Sequence, residues 1–502
     1  MPDPIYADQG GGAPLAPSQA HGTAAWLSAT SGGLTRLRPA ALEATALAAL
    51  LAVAGWIFAI PLHAATNYDE GNYLAALTDL RHGFVLGKDV YADQPPGWYG
   101  LLRLFASVFG NSVTGVRTGM LIVALVGVLA AWACARPLGA LPAFGAAAFL
   151  TIAPPYPAQA TQIEADTPAA VFALVALAVG IWAFRRPGSR ALAVIAGVLI
   201  VCAVSIKLSA LTILLPFAAI AVMRARLIVW ALLGAIVTAG AEALLFRNQL
   251  HDITRGVIGQ HTSALGNSHW NRRVNVQHLL HFLNWHTPFS WLVLAAVLAS
   301  LWLAITRRAS SLLAALWLFV PAAAAFILAM KPLLDHHLVI LALAVAVPAG
   351  AALGLGASRL RREAAVPLLL FAALFAVAGT YQQHRQLVRN SKPEPAWVHV
   401  AAAWLRAETR PDDVVATDIP VLAYYAHRRL VPDFVDTSFT RLNVGDLKPA
   451  EVFAELNRYH VRVAAIGRAL WVDPAVRRGF NARFDHRKWH PNIVYYFDTR
   501  TP

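Results

Sequence analysis

Acidic side chains occur at three places in the sequence where they could act on a polar substrate. A carboxylate held near a hydroxyl group can serve as a general base, and it can also bind a divalent metal ion. Each group also has a structural interpretation, because acids are favoured in the first turn of a helix and Asp can cap one. The three groups are Asp69-Glu70, Asp93-Gln94-Pro95-Pro96 and Glu164-Ala165-Asp166-Thr167-Pro168.

Cationic and imidazole side chains add to these acids. Lys207 lies between two short apolar segments, where a lone ammonium group costs free energy unless it reaches water or an anion. It could bind a phosphate, or it could lie along lipid with its charge in water. His336 and His337 begin a late apolar segment. Six further histidines between 247 and 287, which include His261, lack the tight spacing of a metal site.

The composition places these groups in a membrane protein. Hydrophobic residues make up 58% of the 502 positions and charged residues make up 14%. In soluble domains, hydrophobic residues make up about half of the positions and charged residues about a quarter. Eleven segments are apolar and long enough to be transmembrane helices. They lie near 40–62, 116–135, 141–157, 167–184, 191–206, 208–223, 227–246, 288–306, 311–330, 338–357 and 365–381.

The basic residues predict how these helices are oriented. Arginines are concentrated in short connections, where positive charge is typical of the cytoplasmic side. With eleven spans and a cytoplasmic N-terminus, the acidic groups and Lys207 share the extracytoplasmic side. A twelfth apolar segment, 96–110, would reverse this pattern if it crossed, so we expect it at the outer surface within a long first outer loop, 63–116. The cytoplasmic connections contain Arg136; Arg185, Arg186 and Arg190; Arg224 and Arg226; Arg307 and Arg308; and Arg359, Arg361 and Arg362.

The two ends of the chain differ from the membrane domain, which we expect at 39–385. Residues 1–38 are rich in Gly, Ala and Pro and are predicted to be a disordered cytoplasmic segment. Helical and strand-like patterns alternate over 386–502, which predicts a small extracytoplasmic α/β domain. This region has neither a Gly-rich phosphate loop nor a dense acid cluster, so we expect it to contact the acceptor or pack on the outer loops. The expected strands are 414–417, 461–466 and 492–497.

The order of these groups resembles the GT-C superfamily of membrane glycosyltransferases. The similarity is greatest to the bacterial branch related to protein O-mannosyltransferases and lipid A aminoarabinose transferases, and it extends from about 40 to 357. One position differs, because the aminoarabinose transferases carry Lys where this chain has Gln94. The matching features are Asp69-Glu70, Asp93-Gln94-Pro95-Pro96, Phe109-Gly110 with Arg117, Asp166 before Pro168, Lys207 and His336-His337.

The resemblance implies a fold and an activity. The fold would be that of a mainly α polytopic membrane protein, with about eleven transmembrane helices in the GT-C arrangement and the small C-terminal α/β domain. The activity would be that of an inverting glycosyltransferase of the plasma (inner) membrane. It would move a sugar from a polyprenyl-phosphate donor to a lipid, glycan or protein acceptor at the extracytoplasmic face.

The resemblance also implies roles for individual residues. Asp69 would be the base that activates the acceptor, within a catalytic group that also includes Glu70 and Asp166. The donor and its phosphate would be bound by Lys207, Gln94, His336 and His337. Asp93 and His261 match positions linked to a divalent metal ion.

Two other functions remain open at this point. A transporter or flippase of lipid-linked sugars usually has ionisable groups at mid-membrane and inverted repeats, and we see neither in the sequence. A protein that binds sugar lipids without catalysis would differ only in activity. Nucleic acid is not an expected partner, because cytoplasmic arginines account for the net charge of +14.

The orientation can be tested by labelling single cysteines in whole cells. Labels at position 164 and in the C-terminal domain should react from outside, whereas labels at 188 and 308 should react only after permeabilisation. Reaction at 188 from outside would contradict the eleven-span arrangement and make 96–110 a crossing segment.

Overall fold

The computed structural model describes residues 41–186, 189–259, 262–263, 272–490 and 492–498. The predicted disordered segment 1–38 and the predicted metal ligand His261 lie outside these ranges. The chain divides into two compact units after Leu50. The described part of the first unit, 41–50, is helical. The features below concern the second unit, from Leu51 onward.

Helices make up most of the described chain. Short helical turns also occur at Tyr156–Gln159, Leu250–Thr254, Asp335–Leu338, Pro432–Val435, Phe439–Asn443 and Ala469–Val472. The longer helices are α1 (Ala41–His63), α2 (Tyr68–Arg81), α3 (Pro96–Phe109), α4 (Val113–Ala135), α5 (Ala140–Ile152), α6 (Asp166–Arg185), α7 (Arg190–Ile206), α8 (Leu208–Ala221), α9 (Ile228–Leu245), α10 (Arg272–Phe282), α11 (Pro288–Ile305), α12 (Ser311–Ala329), α13 (Val339–Arg359), α14 (Arg362–Asn390), α15 (Ala396–Ala407), α16 (Val421–Ala426), α17 (Pro449–Arg458) and α18 (Pro474–Arg483).

The eleven apolar segments of the sequence all coincide with apolar helices. Within the described ranges, eight helices are long and apolar enough to cross a membrane, and α5, α7 and α8 are shorter apolar helices. The chain is therefore a multi-pass membrane protein. The number of crossings stays a prediction.

Helix α13 lies at the centre of the apolar helices, and its residues are buried from Val339 to Ala357. It packs most closely against α5, where a Cβ atom on Gly350 would overlap the carbonyl oxygen of Gly145. Small residues allow the backbones of membrane helices to approach in this way. Since α13 follows the turn that carries His336 and His337, this packing positions both histidines.

The predicted first outer loop, 63–116, contains the two helices α2 and α3. One side of α3 is buried through Trp98, Leu102 and Phe105, whereas Leu104 and Val108 are exposed. An apolar exposed side is typical of a helix that lies in a membrane interface. The surface position of this segment therefore remains our expectation.

A five-stranded sheet forms the core of the C-terminal region. Its order is β2-β1-β3-β5-β4; β1 is parallel to β2 and β3, and β5 is antiparallel to β3 and β4. The three predicted strands are confirmed as β1, β3 and β5. The sequence missed β2, which has two residues, and β4, whose residues HRKWH are mostly exposed. The strands are β1 (Val414–Thr417), β2 (Arg429–Leu430), β3 (Val463–Ile466), β4 (His486–His490) and β5 (Ile493–Phe497).

The C-terminal region packs directly on α2. A Cβ atom on Gly71 would lie 3.0 Å from the backbone nitrogen of Val421, and buried Asp79 accepts a hydrogen bond from the backbone nitrogen of Leu430 at 3.1 Å. Helix α14 continues to Asn390, past the predicted domain boundary at 385. The sheet and α2 are therefore parts of one compact unit.

Candidate active site

Asp69 lies in the first turn of α2, and hydrogen bonds fix the start of that helix. The side chain of Asn67 accepts a hydrogen bond from the backbone nitrogen of Glu70 at 2.8 Å. The Glu70 carboxylate accepts one from the backbone nitrogen of Asn67 at 3.0 Å. This reciprocal capping satisfies two donors that the first helical turn cannot pair internally. The turn that carries Asp69 is therefore held rigidly.

The side chain of Asp69 lines a cavity of about 300 Å³. The walls come from five separated parts of the chain, which are the start of α2, the turn before α3, the end of α7, the turn before α13 and the C-terminal region. Residues Asp436 and Arg468 of the C-terminal region belong to the wall. Six of the predicted site residues line this cavity: Asp69, Asp93, Gln94, Lys207, His336 and His337.

The protonation of Asp69 is shifted toward neutral pH. Burial raises its pKa to about 7, and the negative charges of Asp436 and Asp93 contribute to the increase. The positive charges of Lys207 and Arg468 oppose it. A carboxylate with a pKa near the working pH can both accept and release a proton, which suits a general base.

Asp93 is held by neutral hydroxyl groups. Its carboxylate accepts hydrogen bonds from the hydroxyl of Tyr73 at 3.0 Å and from the hydroxyl of Tyr99 at 2.6 Å. Gln94 is also turned toward Asp93, with its Nε2 atom 3.4 Å away. These contacts orient the carboxylate without cancelling its charge, so Asp93 contributes a negative field to the cavity.

Asp166 and Lys207 form a buried ion pair. The Nζ atom of Lys207 lies 2.6 Å from Oδ2 of Asp166, and both side chains are less than a tenth exposed. Asp166 begins α6 without capping it, because the cap residue is Ala165. The helix-cap interpretation of Asp166 is therefore wrong. Lys207 ends α7 and is 7% exposed, so it does not extend to water at a loop tip as the structural alternative supposed.

Glu164 connects α2 to the histidine turn. Its Oε1 atom accepts a hydrogen bond from Asn67 at 2.6 Å, and its Oε2 atom lies 3.0 Å from Nδ1 of His336. Burial and the nearby charges of Asp69 and Asp166 raise the pKa of Glu164 well above its usual range. The sequence identified Glu164 as part of an acidic group and did not assign it to the site.

The structure places Glu70 away from the cavity, although the resemblance grouped it with the catalytic acids. Its two carboxylate oxygens bind the guanidinium of Arg117 at 2.8 and 2.7 Å, and one also accepts a hydrogen bond from the backbone nitrogen of Ile163 at 3.0 Å. Arg117 in turn donates to the carbonyl oxygen of Ala64 at 2.6 Å. Both side chains are almost fully buried. Glu70 therefore joins α2 to α4 and to the end of α1.

Two groups of described residues could hold a divalent metal ion. The ligand atoms of Asp166, His336 and His337 lie within 4.8 Å of one another, and so do those of Asp69, Glu164 and His336. The first group fits poorly, because Nδ1 of His337 accepts a hydrogen bond from the Leu334 backbone nitrogen at 3.1 Å, and Lys207 already pairs with Asp166. The second group, two carboxylates and an imidazole, suits a divalent cation. Asp93 belongs to neither group of described residues.

A second cavity of about 260 Å³ adjoins the first. Asp93, Gln94, Lys207, Met330 and Lys331 line both cavities. The remaining wall is mostly apolar and includes Leu208, Val257, Ile258, Phe326 and Ala329. A polar cavity and an apolar cavity therefore meet at Lys207 and Lys331.

Replacement of Arg117 by Met should destabilise the protein strongly. The change leaves the Glu70 carboxylate buried without its partner, which typically costs about 3–5 kcal/mol. The midpoint of thermal unfolding of the purified full chain in detergent measures this loss. Arg103→Met, at an exposed position of α3, is the matched control and should change stability by no more than about 0.5 kcal/mol. Equal midpoints for the two variants would contradict a structural role for the Glu70–Arg117 pair.

Comparison with known proteins supports this fold. Residues 93–245 match the family model described as dolichyl-phosphate-mannose-protein mannosyltransferase. No curated protein matches the chain. The structure of ArnT from Cupriavidus metallidurans bound to undecaprenyl phosphate is similar, with a TM-score of 0.67 and 14% identity, over 91% of this chain and 98% of that chain.

Archaeal oligosaccharyltransferase AglB from Archaeoglobus fulgidus, in complex with an inhibitory peptide and a dolichol-phosphate, is also similar. Its TM-score is 0.53 at 13% identity, over 90% of this chain and 74% of that chain. At such identities the likeness concerns the fold. The family match over residues 93–245 and the similar structures support an ArnT-like GT-C fold for this chain.

Proposed function

We propose that the chain is an inverting glycosyltransferase that takes a sugar from a polyprenyl-phosphate donor and transfers it to a lipid, glycan or protein acceptor. The observation that carries this proposal is the cavity in which Asp69, with a pKa of about 7, faces the same space as Lys207, whose ammonium group pairs with Asp166. A base for the acceptor and a cation for the leaving phosphate are the two groups that such a transfer requires.

The reaction would be a single displacement at the anomeric carbon of the donor sugar. The acceptor hydroxyl oxygen forms a bond to this carbon while the bond from the carbon to the phosphate oxygen breaks. The hydroxyl proton moves to a carboxylate oxygen of Asp69, and the electron pair of the broken bond leaves with the polyprenyl phosphate. Positive charge that develops on the sugar ring is stabilised by the negative field of Asp69 and Asp93.

The donor would lie across the two adjoining cavities. Lys207 and Lys331 line both cavities and supply positive charge where a phosphate would lie. The apolar cavity offers the polyprenyl chain a wall of aliphatic and aromatic side chains, whose burial is favourable. Gln94 and His336 line the polar side and could hydrogen-bond the sugar or phosphate oxygens. The similar ArnT structure is bound to undecaprenyl phosphate, which supports a polyprenyl-phosphate donor here.

A divalent metal ion, if one is bound, would be held by Asp69, Glu164 and His336. Such an ion would stabilise negative charge on the donor phosphate as a Lewis acid. Asp69 would then both help to hold the ion and orient the acceptor hydroxyl. The proton transfer described above uses the residues of this chain alone.

The orientation of the site follows from the arginine distribution. The short connections rich in arginine would be cytoplasmic, which puts Asp69, Lys207 and the C-terminal region on the extracytoplasmic side of the plasma (inner) membrane. The N-terminus would then be cytoplasmic. Donor lipid would reach the site from the outer leaflet.

Replacement of Asp69 by Asn should abolish most of the transfer activity. Asn keeps the size and hydrogen bonding of the side chain but cannot accept the proton, so turnover should fall by roughly two to four orders of magnitude. The product is identified by mass spectrometry of envelope glycolipids and glycoproteins from cells with and without the chain. Its rate of formation is then compared at equal amounts of membrane protein.

Asp335→Asn is the control for this variant. Asp335 lies in the turn next to His336, but its side chain is 79% exposed, so the change should leave turnover nearly unaltered. Near-normal transfer by Asp69→Asn would refute the assignment of the base.

Replacement of Asp436 by Asn should shift the pH profile of the reaction. After burial, the charge of Asp436 is the largest cause of the raised pKa of Asp69, so its removal lowers that pKa. The base must be deprotonated, so wild-type kcat/KM falls as the pH drops through about 7. The variant should keep its activity to lower pH, which a profile from pH 5 to 9 measures.

Asp412→Asn, at an exposed position of the same C-terminal region, should leave the profile unchanged. A profile of Asp436→Asn that coincides with wild type would mean that Asp436 does not act on the base.

A further inference from the structure

A third and larger cavity, of about 640 Å³, lies on the other side of Tyr68 and Arg468 from the site. We call it the tryptophan cleft, because Trp397, Trp471 and Trp489 line it. Its walls are the connection between α1 and α2, the start of α15 and the ends of strands of the C-terminal sheet. The volume falls within the range of roughly 300–1,000 Å³ that is typical of ligand sites.

The position of the tryptophan cleft in the sheet is one that often binds ligands. Asp418 follows β1, and its buried carboxylate accepts hydrogen bonds from the backbone nitrogens of Gly467, Arg468 and Leu470 at 2.8, 2.7 and 3.0 Å. Those residues follow β3, which is parallel to β1. Crevices outside the carboxyl ends of parallel strands are the usual ligand sites of such sheets. Asp418 thereby fixes the turn that carries Arg468.

The lining of the tryptophan cleft combines flat aromatic rings with hydrogen-bonding groups. The rings of Trp471 and Trp489 meet edge to face at 5.2 Å, and Trp489 is 59% exposed although it is a large apolar residue. Asn67, Glu394 and Asn492 lie on the same walls. Sugar rings present C–H faces to aromatic rings and hydroxyls to polar side chains. The mostly apolar second cavity offers no such combination, and it suits an isoprenoid chain instead.

Arg468 and Tyr68 form a shared wall between the tryptophan cleft and the site. Both residues line both cavities, and the guanidinium carbon of Arg468 lies 3.4 Å from the centre of the Tyr68 ring. The Nη1 atom of Arg468 is buried and has no hydrogen-bond partner among the described residues. A buried donor without a partner is costly, so a bound polar group would satisfy it. Tyr68 directly precedes Asp69 in the first turn of α2.

We propose that the tryptophan cleft binds the acceptor and that the acceptor is a glycan. Its sugar rings stack on Trp471 and Trp489, Arg468 hydrogen-bonds its oxygens, and its reacting hydroxyl reaches Asp69 past Tyr68. The acceptor role rests on the glycosyltransferase function proposed above, whereas binding of glycans by the cleft does not depend on it.

The test is binding of the purified full-length protein in detergent to an array of defined oligosaccharides. The array should contain hexose, hexosamine, deoxyhexose and uronic acid units. We expect wild-type protein to bind at least one of them. Trp471→Ala and Trp489→Ala should weaken that binding by about tenfold or more, as loss of an aromatic stack does. Trp489→Phe should retain part of it.

Trp285→Ala is the matched control. Trp285 is also 59% exposed and packs against Trp291, but it does not line the tryptophan cleft, so its removal should leave glycan binding unchanged. Binding of no oligosaccharide by the wild type, or equal binding by wild type and both tryptophan variants, would overturn the proposal. Asp69→Asn separates the two proposals: it should bind the same oligosaccharides as wild type while transfer is lost. Absence of any transferred sugar in cells with wild-type protein would refute the function and leave the glycan cleft standing.

Discussion

The buried ion pair between Glu70 and Arg117 is the contact on which the geometry of the site depends. It joins α2 to α4, and Arg117 also donates to the carbonyl oxygen of Ala64 at the end of α1. Each charge is removed from water, so the pair is stable only because nearly every donor and acceptor of both groups is used. The neighbouring Asp69 takes its direction from this anchored turn. The Glu70 carboxylate thus stabilises the fold, whereas the adjacent Asp69 carboxylate faces the cavity.

The same separation of tasks applies to the other acids. Asp166 neutralises the charge of Lys207. Glu164 contacts both Asn67, the cap residue of α2, and His336. Two tyrosine hydroxyls orient Asp93. Among the acids that the structure describes, Asp69 combines a wall position in the cavity with a pKa of about 7. Burial in a partly dry space, together with the negative charges of Asp436 and Asp93, makes the Asp69 carboxyl harder to ionise. The cavity thereby gives an ordinary aspartate the pKa near neutral pH that the proposed base needs.

Much of the fold and part of the site could be predicted from the sequence. Apolar length revealed all eleven apolar helices, and alternation of apolar residues revealed β1, β3 and β5, because burial leaves a direct trace in composition. Polar residues on exposed elements leave no such trace, so β4 was missed. Glu70 and Asp69 have different roles because they lie on different sides of one helical turn. The spacing of residues in the sequence does not tell which side faces the cavity. Asp436 and Arg468 line the cavity because the C-terminal region packs on α2. No local sequence pattern predicts this packing.

The wall formed by Tyr68 and Arg468 separates the routes by which the two substrates would reach Asp69. On the proposed function, the carrier lipid approaches Asp69 from the hydrocarbon phase through the apolar cavity, while the acceptor approaches from the aqueous phase through the tryptophan cleft. On this view, the two routes meet in the polar cavity that Asp69 lines. A spent carrier can therefore diffuse back into the bilayer and be replaced while a long acceptor stays docked. The arrangement therefore permits several successive sugar transfers to one acceptor chain as readily as one transfer to each of many acceptor molecules.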